Sequence, residues 1–204
     1  NSETRALDYR DMNIYHQVKV QMDYYHKKIT KIVARQFKLH DNYISQAWLK
    51  MTEMLHQFDL IDKNKKEFKT FHLCELPGAF INAIRFFIEK NTKIDINKWH
   101  WIAQSLNPAK LKDFDERKAF GDEANLLKKY PKNYDFGIGE TGDITDHNNI
   151  KYYKEKHGEN DFVTADCGLP LTQKLLSYKL TFSMYLAVFA LLKEGGNCLI
   201  KRNV

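Results

Sequence analysis

The stretch Phe71-His72-Leu73-Cys74-Glu75-Leu76-Pro77-Gly78-Ala79-Phe80 limits this chain to a small set of folds. The apolar run from Phe71 to Cys74 predicts a short buried strand, and Pro77-Gly78 stops it. A helix is predicted directly after, with Phe80, Ile84, Phe87 and Ile88 on one face. Strand, tight glycine turn and helix in that order open a nucleotide-binding α/β fold: the turn lets backbone approach a ligand, and the helix N-terminus offers free N–H groups. The glycine pattern here is one glycine followed by alanine. Taken alone it fits an ordinary strand-to-helix turn, so the rest of the chain must decide.

A chain of 204 residues supplies one domain with a sizeable core. Hydrophobic content of 43% and aromatic content of 13% exclude a disordered chain. The net charge of +6 suits a polyanionic partner such as RNA, although a solvated basic surface has the same composition. Cys74, Cys167 and Cys198 form no C-x-x-C pair and are expected to be reduced residues of an intracellular protein. The histidines are scattered without metal-ligand spacing, so no metal site is expected. No apolar leader opens the sequence, and Leu175 to Leu192 is interrupted by Ser177, Lys179, Thr181 and Ser183. That segment is expected to be a buried helix and not a membrane span.

In chain order, residues 1–12 are polar, and a helical period runs through Ile14, Val18, Met22, Tyr25, Ile29, Val33 and Phe37. Asp41-Asn42 is an N-cap candidate for a second helix with Ile44, Ala47, Trp48, Met51, Leu55 and Phe58 as its buried stripe. Lys50 lies off that stripe, where periodicity makes it a surface lysine. Asp62 to Lys69 is a charged loop, either solvated or near RNA phosphate. Further strands are expected at Trp99–Ala103, Asp161–Asp166 and Asn197–Lys201. A short helix is expected near Asp122–Lys129, and a long one from Thr172 to Lys193, ended by Glu194-Gly195-Gly196.

Six segments, in the family's order along the chain, resemble FtsJ-like RNA 2′-O-ribose methyltransferases. Leu73-Cys74-Glu75-Leu76-Pro77-Gly78-Ala79-Phe80-Ile81 resembles their motif I, in wording nearest the eukaryotic cap-2 enzymes and their relatives in large DNA viruses. Gln46-Ala47-Trp48-Leu49-Lys50-Met51 resembles the segment carrying the first catalytic lysine. Trp99-His100-Trp101-Ile102-Ala103, with Ser105-Leu106-Asn107-Pro108, resembles the second-strand motif. Thr141-Gly142-Asp143-Ile144 resembles the Gly-Asp motif beside the adenine of S-adenosylmethionine. Asp161-Phe162-Val163-Thr164-Ala165-Asp166 resembles the strand ending in the catalytic aspartate, with Cys167 inserted before Gly168. Gly195-Gly196 with Cys198-Leu199-Ile200-Lys201 resembles the strand ending in the third tetrad residue, although Arg202-Asn203 stands where the family continues with an aromatic segment.

The resemblance implies an α/β, Rossmann-like methyltransferase fold: a mostly parallel sheet with helices on both faces, after an N-terminal helical segment. It divides the chain into residues 1–62, carrying the first lysine, and residues 63–204, an S-adenosylmethionine-binding core whose last strands, with the fourth tetrad glutamate, would follow Val204. It implies Lys50, Asp166 and Lys201 as catalytic residues. It implies Glu75, Pro77, Gly78, Ala79, Phe80, Trp99, Asp143, Ile144 and Asp166 as cofactor contacts. Lys201 would be the base, Lys50 its cationic neighbour and substrate clamp, and Asp166 the orienter. The implied substrate is the 5′ end of capped mRNA at its first or second transcribed nucleotide. A capping-machinery partner is compatible with it, whereas DNA and membrane are not expected partners. The expected setting is nucleus or cytoplasm, or a virus factory or virion, since the abundance of Lys, Asn, Ile and Tyr fits an AT-rich genome. Two alternatives stand beside this: the same chemistry on ribosomal or transfer RNA, and an inactive methyltransferase-like module that binds RNA or a capping partner.

Overall fold

Phe68–Leu73 forms β1, the strand announced by the apolar run, and Ala79–Asn91 forms α3 behind it. A computed structural model describes residues 9–39, 44–110, 122, 125–168 and 174–201. Before β1 come α1 (Tyr9–Phe37) and α2 (Gln46–Gln57). After α3 follow β2 (Trp99–Gln104), the short α4 (Leu126–Lys129), α5 (His147–His157), β3 (Asn160–Ala165), α6 (Lys174–Leu191) and β4 (Leu192–Ile200). The strands form one parallel sheet in the order β2-β1-β3-β4. Parallel strands need crossovers, and the helices that supply them cover both faces.

One face buries Phe68, Trp99, Trp101, Ala103 and Phe162 against Trp48, Met51 and Leu55 of α2 and Phe80, Ile84 and Phe87 of α3. The other buries Phe71, Leu73, Val163 and Ala165 against α5 and α6, through Ile150, Tyr153, Met184 and Val188. Consecutive strand residues point to opposite faces, which explains why β1 reads as a continuous apolar run. Each fully buried large side chain contributes about 1.5–3 kcal/mol.

Several expectations meet a different structure. Ser45, and not Asp41-Asn42, caps α2: its hydroxyl accepts the Trp48 N–H at 3.2 Å. Asp41 and Asn42 lie outside the described residues. In the stripe expected to bury α1, Val18, Met22, Tyr25, Ile29 and Phe37 are exposed, while Val33 packs on the core. Glu194-Gly195-Gly196 does not end a helix. It lies inside β4, where the pairing jumps from Asn160–Leu192 to Phe162–Asn197. Gly195 there has φ +71°, and a Cβ on Gly196 would meet the Asp161 carbonyl oxygen at 3.1 Å. These glycines let the strand absorb extra residues, as bulges do. α6 packs on the sheet through Met184, Ala187, Val188 and Leu191, but Leu175, Tyr178, Phe182 and Phe189 are exposed. No helix among the described residues is long and apolar enough to cross a membrane.

Candidate active site

The register brings the ends of all strands into one row. Leu73 lies opposite Gln104 and Ala165, and Ala165 opposite Ile200. The next residue along each strand therefore emerges at the same carboxyl edge: Ser105, Cys74, Asp166 and Lys201. Backbone bonds extend the alignment one step past the strands, since the Asp166 N–H donates to the Leu73 carbonyl at 3.3 Å and the Lys201 N–H to the Ala165 carbonyl at 2.9 Å. Open parallel sheets place ligands at this edge.

Lys201 Nζ donates to Asp166 Oδ1 at 2.5 Å, and the two side chains are 37% and 18% exposed. Residues well separated in sequence thus form a half-buried ion pair, reached from solvent at the sheet edge. Lys50 is exposed on α2 and makes no hydrogen bond or ion pair among the described residues.

Glu75 follows β1 and is buried. Its Oε1 accepts the N–H groups of Phe80 at 2.7 Å and Ile81 at 3.2 Å. It therefore caps α3, whose N-cap Gly78 supplies no side chain and stands at φ +96°. Burial pushes the Glu75 carboxyl well above its usual range, the two N–H bonds pull it back, and the nearby negative charge of Asp166 pushes it up again. Gly78 is held closely, since a Cβ there would meet Leu126 Cδ2 at 3.0 Å. Pro77 and Ala79 are half-buried in the same turn, whereas the Phe80 side chain lies in the core and only its backbone belongs to the turn.

The Gly-Asp loop lies across the end of β2. Asp143 Oδ1 accepts the Thr145 N–H at 2.8 Å, and the Asp143 carbonyl accepts Asn149 Nδ2 at 2.8 Å. The Ile144 side chain is buried in the core, leaving its backbone to face the loop. A Cβ on Gly142 would sit 1.7 Å from the Ser105 carbonyl oxygen, so only glycine fits this close passage.

Two expectations are corrected. Trp99 is the first residue of β2 and pairs with Phe68, about 16 Å from the carboxyl edge at the usual rise per residue. It is buried, and its indole N–H donates to Thr70 Oγ1 at 3.0 Å, so it is a core residue remote from this edge. Cys74 and Cys167 are not free thiols: they form a disulfide, with Cα atoms 5.1 Å apart. Each sits just past the end of a neighbouring strand, a proximity that a separation of 93 residues conceals. Two lysines of the charged loop, Lys65 and Lys69, are engaged away from this edge, whereas Lys63 and Lys66 are exposed. Lys65 and Lys193 pair with Asp161, and Lys69 donates to the Gly158 carbonyl at 2.6 Å, at the opposite end of the sheet.

Gln104, at the same edge, is a residue that patterning did not single out. It is buried at the end of β2, accepts the Cys74 N–H at 3.2 Å and donates to the Gly142 carbonyl. A lone glutamine carries no periodic signal. Its position immediately before Ser105-Leu106-Asn107-Pro108 is the only cue. Cavities of about 180 and 300 Å³ lie on the outer side of α3, lined by Trp48 and Phe86, and include none of the expected site residues.

The FtsJ-like methyltransferase profile matches residues 43–202. The mimivirus "Uncharacterized protein L511" (Acanthamoeba polyphaga mimivirus) is 32% identical over 191 residues, covering 88% of this chain and 23% of that protein. The Drosophila melanogaster "Cap-specific mRNA (nucleoside-2′-O-)-methyltransferase 2" is 30% identical over 172 residues, 78% of this chain and 24% of that enzyme. The "Probable methyltransferase EP424R" of African swine fever virus (isolate Pig/Kenya/KEN-50/1950) is 30% identical over 178 residues, 78% of this chain and 39% of that protein. The chain thus spans about a quarter of the first two relatives' length. A parallel sheet with helices on both faces, a row of aligned strand ends and a profile match over most of the sequence converge on one conclusion: the chain belongs to the FtsJ-like methyltransferase family.

Proposed function

We propose that this chain carries the methyl-transfer site of an S-adenosylmethionine-dependent RNA 2′-O-methyltransferase, acting at the first or second transcribed nucleotide of capped mRNA. The observation that carries the reading is the Lys201–Asp166 ion pair at the carboxyl edge of the sheet, beside the Glu75–Phe80 turn. The matched enzyme of Drosophila melanogaster is named for cap-specific 2′-O-methylation of mRNA, which favours a cap substrate.

The residues present fit the cofactor. Its sulfonium is a cation, and the turn that would face it holds the buried carboxyl of Glu75 near Asp166. Asp143 has one carboxylate oxygen bonded to Thr145 and offers the other to an exocyclic amine such as that of adenine. When bound, S-adenosylmethionine supplies an electrophilic methyl group. Asp166 holds Lys201 Nζ at a fixed position, so that the lysine can line up a ribose 2′-hydroxyl and, in its neutral form, accept the hydroxyl proton. Alignment of this kind is worth several kcal/mol. Lys50 acts as a cationic clamp on the RNA, and the exposed lysines hold phosphates.

The test is transfer of labelled methyl from S-adenosylmethionine by the full-length protein to cap-0, cap-1 and uncapped RNA of one sequence. Label on one capped RNA, reduced about a hundredfold or more in Lys201→Ala, is the expected result. Label on uncapped RNA as well would shift the reading to ribosomal or transfer RNA. A protein that binds RNA and labels none of the three would be an inactive module.

A further inference from the structure

Gln104 joins the two loops of the candidate site that carry acids. Its Oε1 accepts the Cys74 N–H at 3.2 Å, and its Nε2 donates to the Gly142 carbonyl. Its own backbone carbonyl accepts the Glu75 N–H at 3.0 Å. One side chain and its backbone therefore fasten the turn leading to Glu75 and Gly78, and on the other flank the residue before Asp143. Among the described residues no hydrogen bond links those two loops directly. Gln104 is 1% exposed, so both bonds are made in a dry environment where an unmatched amide is costly.

The neighbouring contacts agree on the same junction. Asn107 donates its N–H to the Thr141 carbonyl at 3.0 Å and its Nδ2 to the Glu140 carbonyl at 2.9 Å. Gly142 passes at backbone contact with Ser105, closer than any side chain would permit. The end of β2 is thus laced to residues 140–142, and among the described residues Gln104 is the one bonded both to that loop and to the turn after β1. A leucine would fill this volume without polar partners, so packing alone does not call for an amide here.

We infer that Gln104 is a positioning residue of the cofactor site, setting the distance between the Glu75–Phe80 turn and Asp143. The inference rests on the proposed function, because only a ligand that spans both loops makes their spacing matter. Such a ligand binds well only when its two contact regions are held to within a fraction of an ångström.

Gln104→Leu removes both side-chain bonds at similar volume. Gln104→Glu keeps the acceptor for Cys74 but sets an acceptor against the Gly142 carbonyl. The readouts are binding of S-adenosylhomocysteine by calorimetry without RNA, thermal unfolding, and separate KM values for S-adenosylmethionine and RNA, all on the full-length protein. Both variants are expected to weaken S-adenosylhomocysteine binding by about tenfold or more. The KM for S-adenosylmethionine should rise in parallel, while the KM for RNA stays at the wild-type value. Wild-type binding of S-adenosylhomocysteine by a folded Gln104→Leu protein would overturn the inference. An equal loss of RNA affinity would overturn it too, since that marks a general structural role. Should Gln104→Leu not fold, Gln104→Glu decides by the same criteria. A wild-type protein that neither binds S-adenosylhomocysteine nor transfers methyl would instead overturn the proposed function, and the inference with it.

Discussion

His72 has both ring nitrogens occupied in the middle of β1. Its Nε2 lies 2.8 Å from Thr70 Oγ1 and its Nδ1 2.7 Å from Thr164 Oγ1. A chain in which Trp99 donates to Thr70, Thr70 to Nε2, and Nδ1–H to Thr164 satisfies every group. Protonation at Nε2 would turn that atom into a donor and take from the buried Thr70 hydroxyl proton its acceptor, and burial lowers the histidine pKa to about 3. The unfolded chain takes up a proton near pH 6.5 that the folded chain refuses until about pH 3. Stability is therefore expected to fall as pH drops through that window, by up to about 1.4 kcal/mol per pH unit. Glu75 acts oppositely: its raised pKa favours the folded state at low pH, and that contribution fades as pH rises through the folded value. Urea midpoints between pH 7 and pH 5 should fall less steeply in His72→Gln than in wild type. Parallel slopes would show that His72 does not govern acid sensitivity.

Among the elements, α2 depends on a side-chain cap at its first turn. Ser45 ties down the first turn of the helix that carries Lys50. Ser45→Ala is expected to cost about 1 kcal/mol, read as a shift in denaturant midpoint. An unchanged midpoint would mean that the α2–α3 packing alone holds the helix. The apolar stripe of α3, that of α2 except for the exposed Phe58 at its C-terminal end, and the strand character of β1, β2 and β3 were legible from periodicity, because buried faces write themselves into spacing. The end of α6 was not. A glycine pair after an apolar helix reads equally as a helix stop or as a strand bulge, and only the pairing with β3 distinguishes them. α1 misled in another way: its stripe is real, but the helix presents most of it to solvent.

At the scale of the molecule, the sheet edge gathers residues from distant segments, and the Cys74–Cys167 disulfide fastens two of them covalently. Closing a loop of this size is worth about 4–5 kcal/mol in the chain-entropy account, and commonly less in practice. Dithiothreitol should therefore lower the unfolding midpoint of the full chain, and thiol titration of the unreduced, denatured protein should find Cys198 alone. Reactivity at all three cysteines would remove this bond from the account. The ordered motifs singled out Asp166, Lys201, Asp143 and the Glu75–Phe80 turn, and the Lys201–Asp166 pair stands at the same carboxyl edge from which that turn leaves β1. Trp99 was misplaced because a motif names a strand without saying which end faces the ligand. Gln104 escaped because its importance lies in three bonds to other loops, none of them visible along the chain. The cap on α3 also bears on ligand discrimination. Dinucleotide folds leave the first helix N-terminus open to a pyrophosphate. Here the chain's own carboxylate already accepts those N–H groups. A phosphate seated at this helix N-terminus would first have to displace a buried acid from both of its N–H partners, so the start of α3 is closed to the pyrophosphate mode of binding.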